Sequence, residues 1–205
     1  MQKACEEELW KIQNDHYFDT NVLHYASSQG NLRLVKSFIE CGCDKEIKSE
    51  NDGTPLYWAT REGQLEVIKY LISVGANKDA VDNNGSTPLI YASDNGQLEV
   101  VKYLISLGAN KEAKNNDGYT PLICASYFGY LKVVQYLISV GANKEAKDNN
   151  GCTPLIKASW NGHLEVVQYL ISVGANKEAK DNKGKTALDK SKGAVREYLL
   201  SIARK

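Results

Sequence analysis

The chain repeats itself every 33 residues, and that interval restricts the fold more than any other feature of the sequence. Thr54, Thr87, Thr120, Thr153 and Thr186 stand one period apart. So do Ala26, Ala59, Ala92, Ala125 and Ala158, and Gly30, Gly63, Gly96, Gly129 and Gly162. A unit this short cannot close a core alone, so each copy must bury its apolar face against the next.

In the copy from Gly85 to Asp117, Thr87 and Pro88 predict a helix start: a hydroxyl able to accept free backbone N–H groups, then a proline whose missing donor costs nothing there. Gly96 predicts a left-handed helix end. Gln97 to Ser106 follows as a second helix with Leu98, Val101, Leu104 and Ile105 on one face, and Gly108 stops it. The stretch from Ala109 to Gly118 is rich in turn formers and predicts an extended, hairpin-like finger. Helices this short are marginal in isolation, so they must stack. The expected fold is all-α: a solenoid of helix-turn-helix units with protruding β-hairpin loops.

The stretch TPLIYASDNGQLEVVKYLISLGANKEAKNNDG, with its sister copies, resembles an ankyrin repeat, and the resemblance runs from about Asp19 to Ser191. Where that family usually has His after Thr-Pro-Leu, this chain has Tyr57, Ile90, Ile123 and Ile156, and only His24 keeps it. Asp52 stands where later copies have glycine, with Gly53 one place on, which predicts an altered turn. The family's Asp-Val-Asn is Asn-Lys-Glu here, so a modification known on that hairpin Asn has no target at Glu112, Glu145 or Glu178.

The expected organisation is a capping helix over residues 1–18 with Leu9, Trp10 and Ile12 inward, a divergent first repeat over 19–51, full repeats over 52–84, 85–117, 118–150 and 151–183, and a truncated capping repeat over 184–205. The last copy keeps Thr186 and Leu188, then reaches Val195, Tyr198 and Leu199 early. The chain reads as a complete domain, with a cut from something longer left open.

Nothing in the pattern assembles a catalytic set. His16, His24 and His163 fall in different copies or in the cap, and His163 takes the place of Gln64, Gln97 and Tyr130, which reads as a tolerant surface position. Cys124 and His163 lie in adjacent copies but on different helical faces. Glu66, Glu99 and Glu165 open second helices, where an acid suits the helix dipole. Cys5, Cys41, Cys43, Cys124 and Cys152 share no framework spacing and read as reduced thiols, with Cys41 and Cys43 as small packed residues rather than zinc ligands. Gly184 with its lysine lacks the glycines of a phosphate loop. The expectation is no enzyme, no cofactor and no metal.

The 25 basic and 25 acidic residues cancel, so bulk charge names no partner and argues against nucleic acid. The recurring Lys-Glu-Ala-Lys, at Lys111, Glu112 and Lys114 and again at Lys144, Glu145 and Lys147, reads as a solvated ladder. With Lys3, Glu6, Glu7, Glu8 and Lys11 at the start and no long apolar run, the chain is expected to be soluble and cytoplasmic or nuclear, without membrane insertion.

The informative residues are those that refuse to repeat. Three first-helix positions read Tyr25, Trp58, Tyr91, Cys124, Lys157; then Ser28, Arg61, Asp94, Tyr127, Trp160; then Gln29, Glu62, Asn95, Phe128, Asn161. They share one helical face. The resemblance implies that this face and the finger tips line a concave groove, aromatic in the middle and basic toward the C-terminus, with Lys114, Lys147 and Lys180 beside it. Trp58, Arg61, Tyr91, Asp94, Tyr119, Tyr127, Phe128, Lys157 and Trp160 are the candidate partner-binding residues, and the expected partner is another protein. Two other readings stay open: the aromatics pack on one another and stiffen a structural spacer, or they pair copies of the chain.

Overall fold

The computed structural model describes residues 22–203, so the capping helix expected over 1–18 lies outside the described residues. The chain divides into two compact units, Met1–Ala92 and Ser93–Lys205. Among the described residues there are twelve helices and no strand. They are α1 (Val22–Ser28), α2 (Leu32–Glu40), α3 (Pro55–Arg61), α4 (Leu65–Ser73), α5 (Pro88–Asp94), α6 (Leu98–Ser106), α7 (Pro121–Phe128), α8 (Leu131–Ser139), α9 (Pro154–Trp160), α10 (Leu164–Ser172), α11 (Ala187–Lys190) and α12 (Gly193–Ala203).

The first helix of each pair starts as its sequence dictates. Thr54, Thr120 and Thr153 are N-caps whose hydroxyls accept the N–H of Tyr57, Ile123 and Ile156, each followed by proline at the first helical position. Thr186 closes a full capping box with Asp189. Gly129 ends α7 with a φ of +81°, a conformation any side chain would resist.

In the first unit α1 packs on α3 and α2 on α4; in the second, α7 packs on α9, α9 on α11, α6 on α8, α8 on α10 and α10 on α12. The alternating layers bury Leu56, Ala59, Ile68 and Leu71 in one unit and Leu104, Leu122, Ala125, Val134, Leu137 and Leu155 in the other. Each fully buried leucine contributes about 1.5–3 kcal/mol, which no single repeat could collect alone.

The fingers are tight turns rather than β-hairpins. In the fourth finger Asp148 N–H donates to the Cys152 carbonyl at 3.1 Å and Gly151 N–H to the Asp148 carbonyl at 2.9 Å, and that single closing pair leaves no length for a strand. Neighbouring fingers are tied by one backbone bond each: Asn83 N–H to the Asn51 carbonyl in the first unit, Asn149 to Asp117 and Asn182 to Asn150 in the second.

Three expectations are corrected. The Lys-Glu-Ala-Lys ladder is a set of bonds to the next repeat, not a merely solvated face. Glu112 and Glu145 accept the N–H of Asn143 and Asn176 at 2.9 and 2.8 Å, and Lys144 donates to the Val173 carbonyl at 2.6 Å, at the C-terminal end of α10. The altered turn at Asp52 is not seen. Asp52 takes a φ of +58°, the left-handed region that Gly85 occupies one period later at +71°. Glycine has moved to position 53 because Tyr57 fills the space beside it: a Cβ on Gly53 would lie 2.6 Å from the Tyr57 ring. Nor is the position of His163 a tolerant one. His163 Nε2 lies 2.8 Å from the Tyr127 carbonyl, Gln64 Nε2 donates to the Ser28 carbonyl at 3.0 Å, and Tyr130 covers Gly96, so in these three copies the position clamps a repeat to the one before.

His24, the one histidine kept after the first cap position, is fully buried with Nε2 2.9 Å from the Ile47 carbonyl. A carbonyl only accepts, so the ring donates. Burial pushes its pKa below the ordinary 6.5, and the hydrogen bond to Ile47 opposes this only in part. The folded chain therefore refuses a proton that the unfolded chain accepts. The stability contribution is complete above about pH 6.5 and falls as the pH drops, by at most about 1.4 kcal/mol per unit, until the folded pKa is reached. Melting curves between pH 7.5 and 5.5 should show this slope, and His24→Gln should flatten it. An unchanged slope in the variant would assign it to another group.

Candidate functional site

The site is built from the base of each finger. Ser49, Asp82, Asn115, Asp148 and Asp181 stand one period apart, and each side chain accepts backbone N–H groups of its own turn. Asp148 Oδ1, for example, takes Asn150 N–H at 2.9 Å and Cys152 N–H at 2.7 Å. Where the residue is Asp, its second oxygen remains to accept from the first helix nine residues on. Tyr91 Oη donates to Asp82 at 2.7 Å, Lys157 Nζ pairs with Asp148 at 2.8 Å, and Lys190 Nζ with Asp181 at 3.0 Å. Where the helix residue is Cys124, the finger carries neutral Asn115, and the Cys124 thiol donates to Asp94 instead. Each Asp finger base meets a donor on its helix, a cation at Lys157 and Lys190 and a neutral hydroxyl at Tyr91.

In the first unit this arrangement supports an aromatic cluster. Tyr57 meets Tyr91 edge-on at 4.6 Å between ring centroids and Trp58 edge-on at 5.3 Å, and His24 lies 6.4 Å from Trp58 on its other side. The Arg61 guanidinium stands 5.4 Å over the Trp58 ring and is itself exposed. Trp58 is only 6% exposed.

In the second unit the centre is Lys157, whose side chain is 2% exposed against 0% for Asp148. Its ammonium donates to Tyr119 Oη at 2.6 Å and lies 4.4 Å from the Tyr119 ring, 5.6 Å from Tyr127 and 5.7 Å from Trp160. Burial opposes the charge. The bonds to Asp148 and Tyr119 outweigh it and hold the Lys157 pKa above the ordinary lysine value, so the cation persists through the neutral range. Trp160 sits between two such cations, with Lys190 4.7 Å from its ring, yet is 51% exposed. Tyr127 packs on Tyr119 at 6.2 Å and on Phe128 at 4.9 Å, and Phe128 stacks with Tyr130 at 6.2 Å. The Tyr127 carbonyl accepts from Asn161 Nδ2, which fixes the end of α7 under this cluster.

The nine candidate residues therefore separate. Tyr119, Tyr127, Phe128, Lys157 and Trp160 come together in the second unit, and Trp58, Arg61 and Tyr91 around Tyr57 in the first. Asp94 is half-buried, its pKa raised by desolvation, and is engaged by Cys124. The expectation that all three variable positions face outward is corrected by their burial. In the first of them Trp58, Cys124 and Lys157 are buried at the packed base of the finger and Tyr91 is half-buried there, while Tyr25 is exposed. The position of Arg61 and Trp160 is exposed or half-exposed, and that of Phe128 and Asn161 is exposed throughout. Asp148, Asp181, Lys190, Tyr130 and Tyr57 were missed. The signal for the first three was present as a covarying pair nine residues apart, repeated in register. Cys124 and His163 do not meet: burial, with Asp94 adding to it, pushes the Cys124 thiol pKa far up, and the His163 ring clamps Tyr127.

Among the described residues no group of three or more His, Cys, Asp or Glu is placed to hold a metal ion, and no helix is long and apolar enough to cross a membrane. A family model described as ankyrin repeats in three copies matches residues 23–115, 107–181 and 142–200. Comparison with curated proteins gave no match. With capped helix pairs and clamped fingers recurring through the residues so matched, the chain belongs to the ankyrin repeats, a family that generally serves protein–protein interaction and is typically without catalysis.

Proposed function

We propose that the chain is a non-catalytic adaptor, acting in the cytoplasm, that captures a segment of a partner protein on the aromatic face of its second unit. The observation that carries this reading is Trp160. A tryptophan half in water, held between two ammoniums that each have a buried carboxylate, is fixed in place before any partner arrives. Rigid aromatics of this kind lose little entropy on binding and are enriched among interface hot spots. Phe128, 44% exposed and propped by Tyr127 and Tyr130, is the second contact. Tyr119 and Lys157 support this face from beneath.

Phe128→Ala with Trp160→Ala should reduce capture of a partner from cell lysate by roughly 1,000-fold, at about 2 kcal/mol for each hot spot, while the melting curve stays close to wild type. Equal capture by both baits would move the interface elsewhere. The surface of the first unit, with exposed Arg61 over Trp58, is tested the same way through Arg61→Ala.

A further inference from the structure

The cancellation of charge over the whole chain does not hold within its units. Met1–Ala92 carries 9 basic and 14 acidic residues, a net charge of −5, and Ser93–Lys205 carries 16 and 11, a net charge of +5. In the second unit part of the excess lies on the fingers that carry Tyr119, Asp148 and Asp181, whose partners Lys157 and Lys190 flank Trp160. Lys114, Lys147 and Lys180 recur one period apart, all exposed, and each immediately precedes a finger-base residue. Asp148 and Asp181 turn inward to Lys157 and Lys190, while the lysines before them stay in water.

Two of these lysines are held in place by the next finger. Lys114 Nζ donates to the Lys147 carbonyl at 2.9 Å and Lys147 Nζ to the Lys180 carbonyl at 3.0 Å. A carbonyl positions an ammonium without neutralising it. The acids at the base of these fingers, Asp148 and Asp181, are balanced by Lys157 and Lys190 in ion pairs. Lys183 and Lys185, both exposed, add to the basic charge of the last finger.

We propose that the aromatic face of the second unit takes an extended, acidic segment of a partner protein, with carboxylates about three residues apart and an apolar side chain against Phe128 and Trp160. The inference rests on the adaptor reading above and adds the chemistry of the partner. Stacked helices lie about 10 Å apart, and an extended chain in the polyproline II conformation turns once every three residues and advances about 3.1 Å per residue, so every third side chain lies on one face. Acids at positions i, i+3 and i+6 therefore meet Lys114, Lys147 and Lys180 in turn, and the residues between are available to the aromatics. A nucleic-acid strand, charged at every nucleotide, calls for a continuous basic track, which the asparagines Asn116, Asn149 and Asn150 at the finger tips do not supply.

The test is selection of a displayed library of random linear peptides on the full chain, run beside two variants: Lys114→Gln with Lys147→Gln and Lys180→Gln, and Phe128→Ala with Trp160→Ala. Enriched peptides should be acidic, with a three-residue spacing of carboxylates and an aromatic or aliphatic residue between. They should bind the lysine variant about tenfold more weakly at low salt, as three exposed ion pairs permit, and lose that difference as salt rises. Peptides that need Phe128 and Trp160 but are neutral or basic would overturn the acidic inference and leave the adaptor reading standing. Peptides indifferent to Phe128 and Trp160, or no enrichment at all, would overturn both. Two further results would also overturn it. Tighter binding of oligothymidylate than of any selected peptide would assign the face to nucleic acid, and a concentration-dependent dimer that blocks the peptides would assign it to the −5 unit of a second copy.

Discussion

Lys157→Met is expected to destabilise the chain by about 3–5 kcal/mol in urea unfolding, far more than the loss of an ordinary surface lysine. The reason is the carboxylate left behind. Asp148 is fully buried, and once its cation is gone one of its oxygens keeps a charge with no counterion. The methionine also leaves the Tyr119 hydroxyl without its donor and removes the cation shared by Tyr119, Tyr127 and Trp160. The neighbouring repeat shows the compensation: neutral Asn115 paired in register with Cys124. Asp148→Asn in the Lys157→Met background should therefore recover most of the loss, because the amide oxygen still accepts the N–H groups of Asn150 and Cys152. The four proteins form a double-mutant cycle, and a coupling of about 2 kcal/mol or more is expected between the two positions. Strict additivity would mean that the ion pair does not organise the finger base. Because the folded pKa of Lys157 is raised, its contribution is complete below the ordinary lysine pKa of 10.5 and is lost only as the pH climbs through the higher folded value.

That pair also marks the limit of what could be read without coordinates. The 33-residue period carries the helix pairs, their threonine caps and their glycine ends, because each depends on a residue and its immediate neighbours, and these recur unchanged. Tyr127, Phe128 and Trp160 could be singled out because they break a repeat that is otherwise kept. Their depth could not. Trp58 and Lys157 occupy the same register as Tyr91 and Cys124, and only the finger-base residue nine positions earlier, Ser49, Asp148, Asp82 or Asn115, reveals that this register points inward. The Lys-Glu-Ala-Lys run was misread for a related reason. Lys144 and Glu145 have exposed-looking chemistry, but their partners are backbone groups 29 and 31 residues away, which composition does not disclose. Charge was concealed by summation, since −5 and +5 fall on the two sides of a boundary that only the contacts define.

The two tryptophans within the described residues should respond in opposite ways. Trp58→Ala removes a ring that is 6% exposed and wedged among Tyr57, His24 and the Arg61 guanidinium, and the expected cost is about 3–5 kcal/mol. Trp160→Ala removes a ring with half its surface already in water, and the two lysines against it keep their buried carboxylates, so less than about 1 kcal/mol is expected. Thermal melts and urea curves of the two single variants measure this directly. Equal losses would contradict the assignment of Trp58 to support and Trp160 to contact. The difference also governs how a binding experiment is read. A variant that combines both changes would lose a partner through unfolding of the first unit, whatever the second unit contacts. Binding must therefore be judged on Phe128 and Trp160, whose removal leaves the ion-paired base intact, and stability on Trp58 and Lys157, whose removal does not. The two sets lie within one helical turn of each other in sequence register, and it is the finger beneath, not the helix itself, that decides which side chain is held and which is offered.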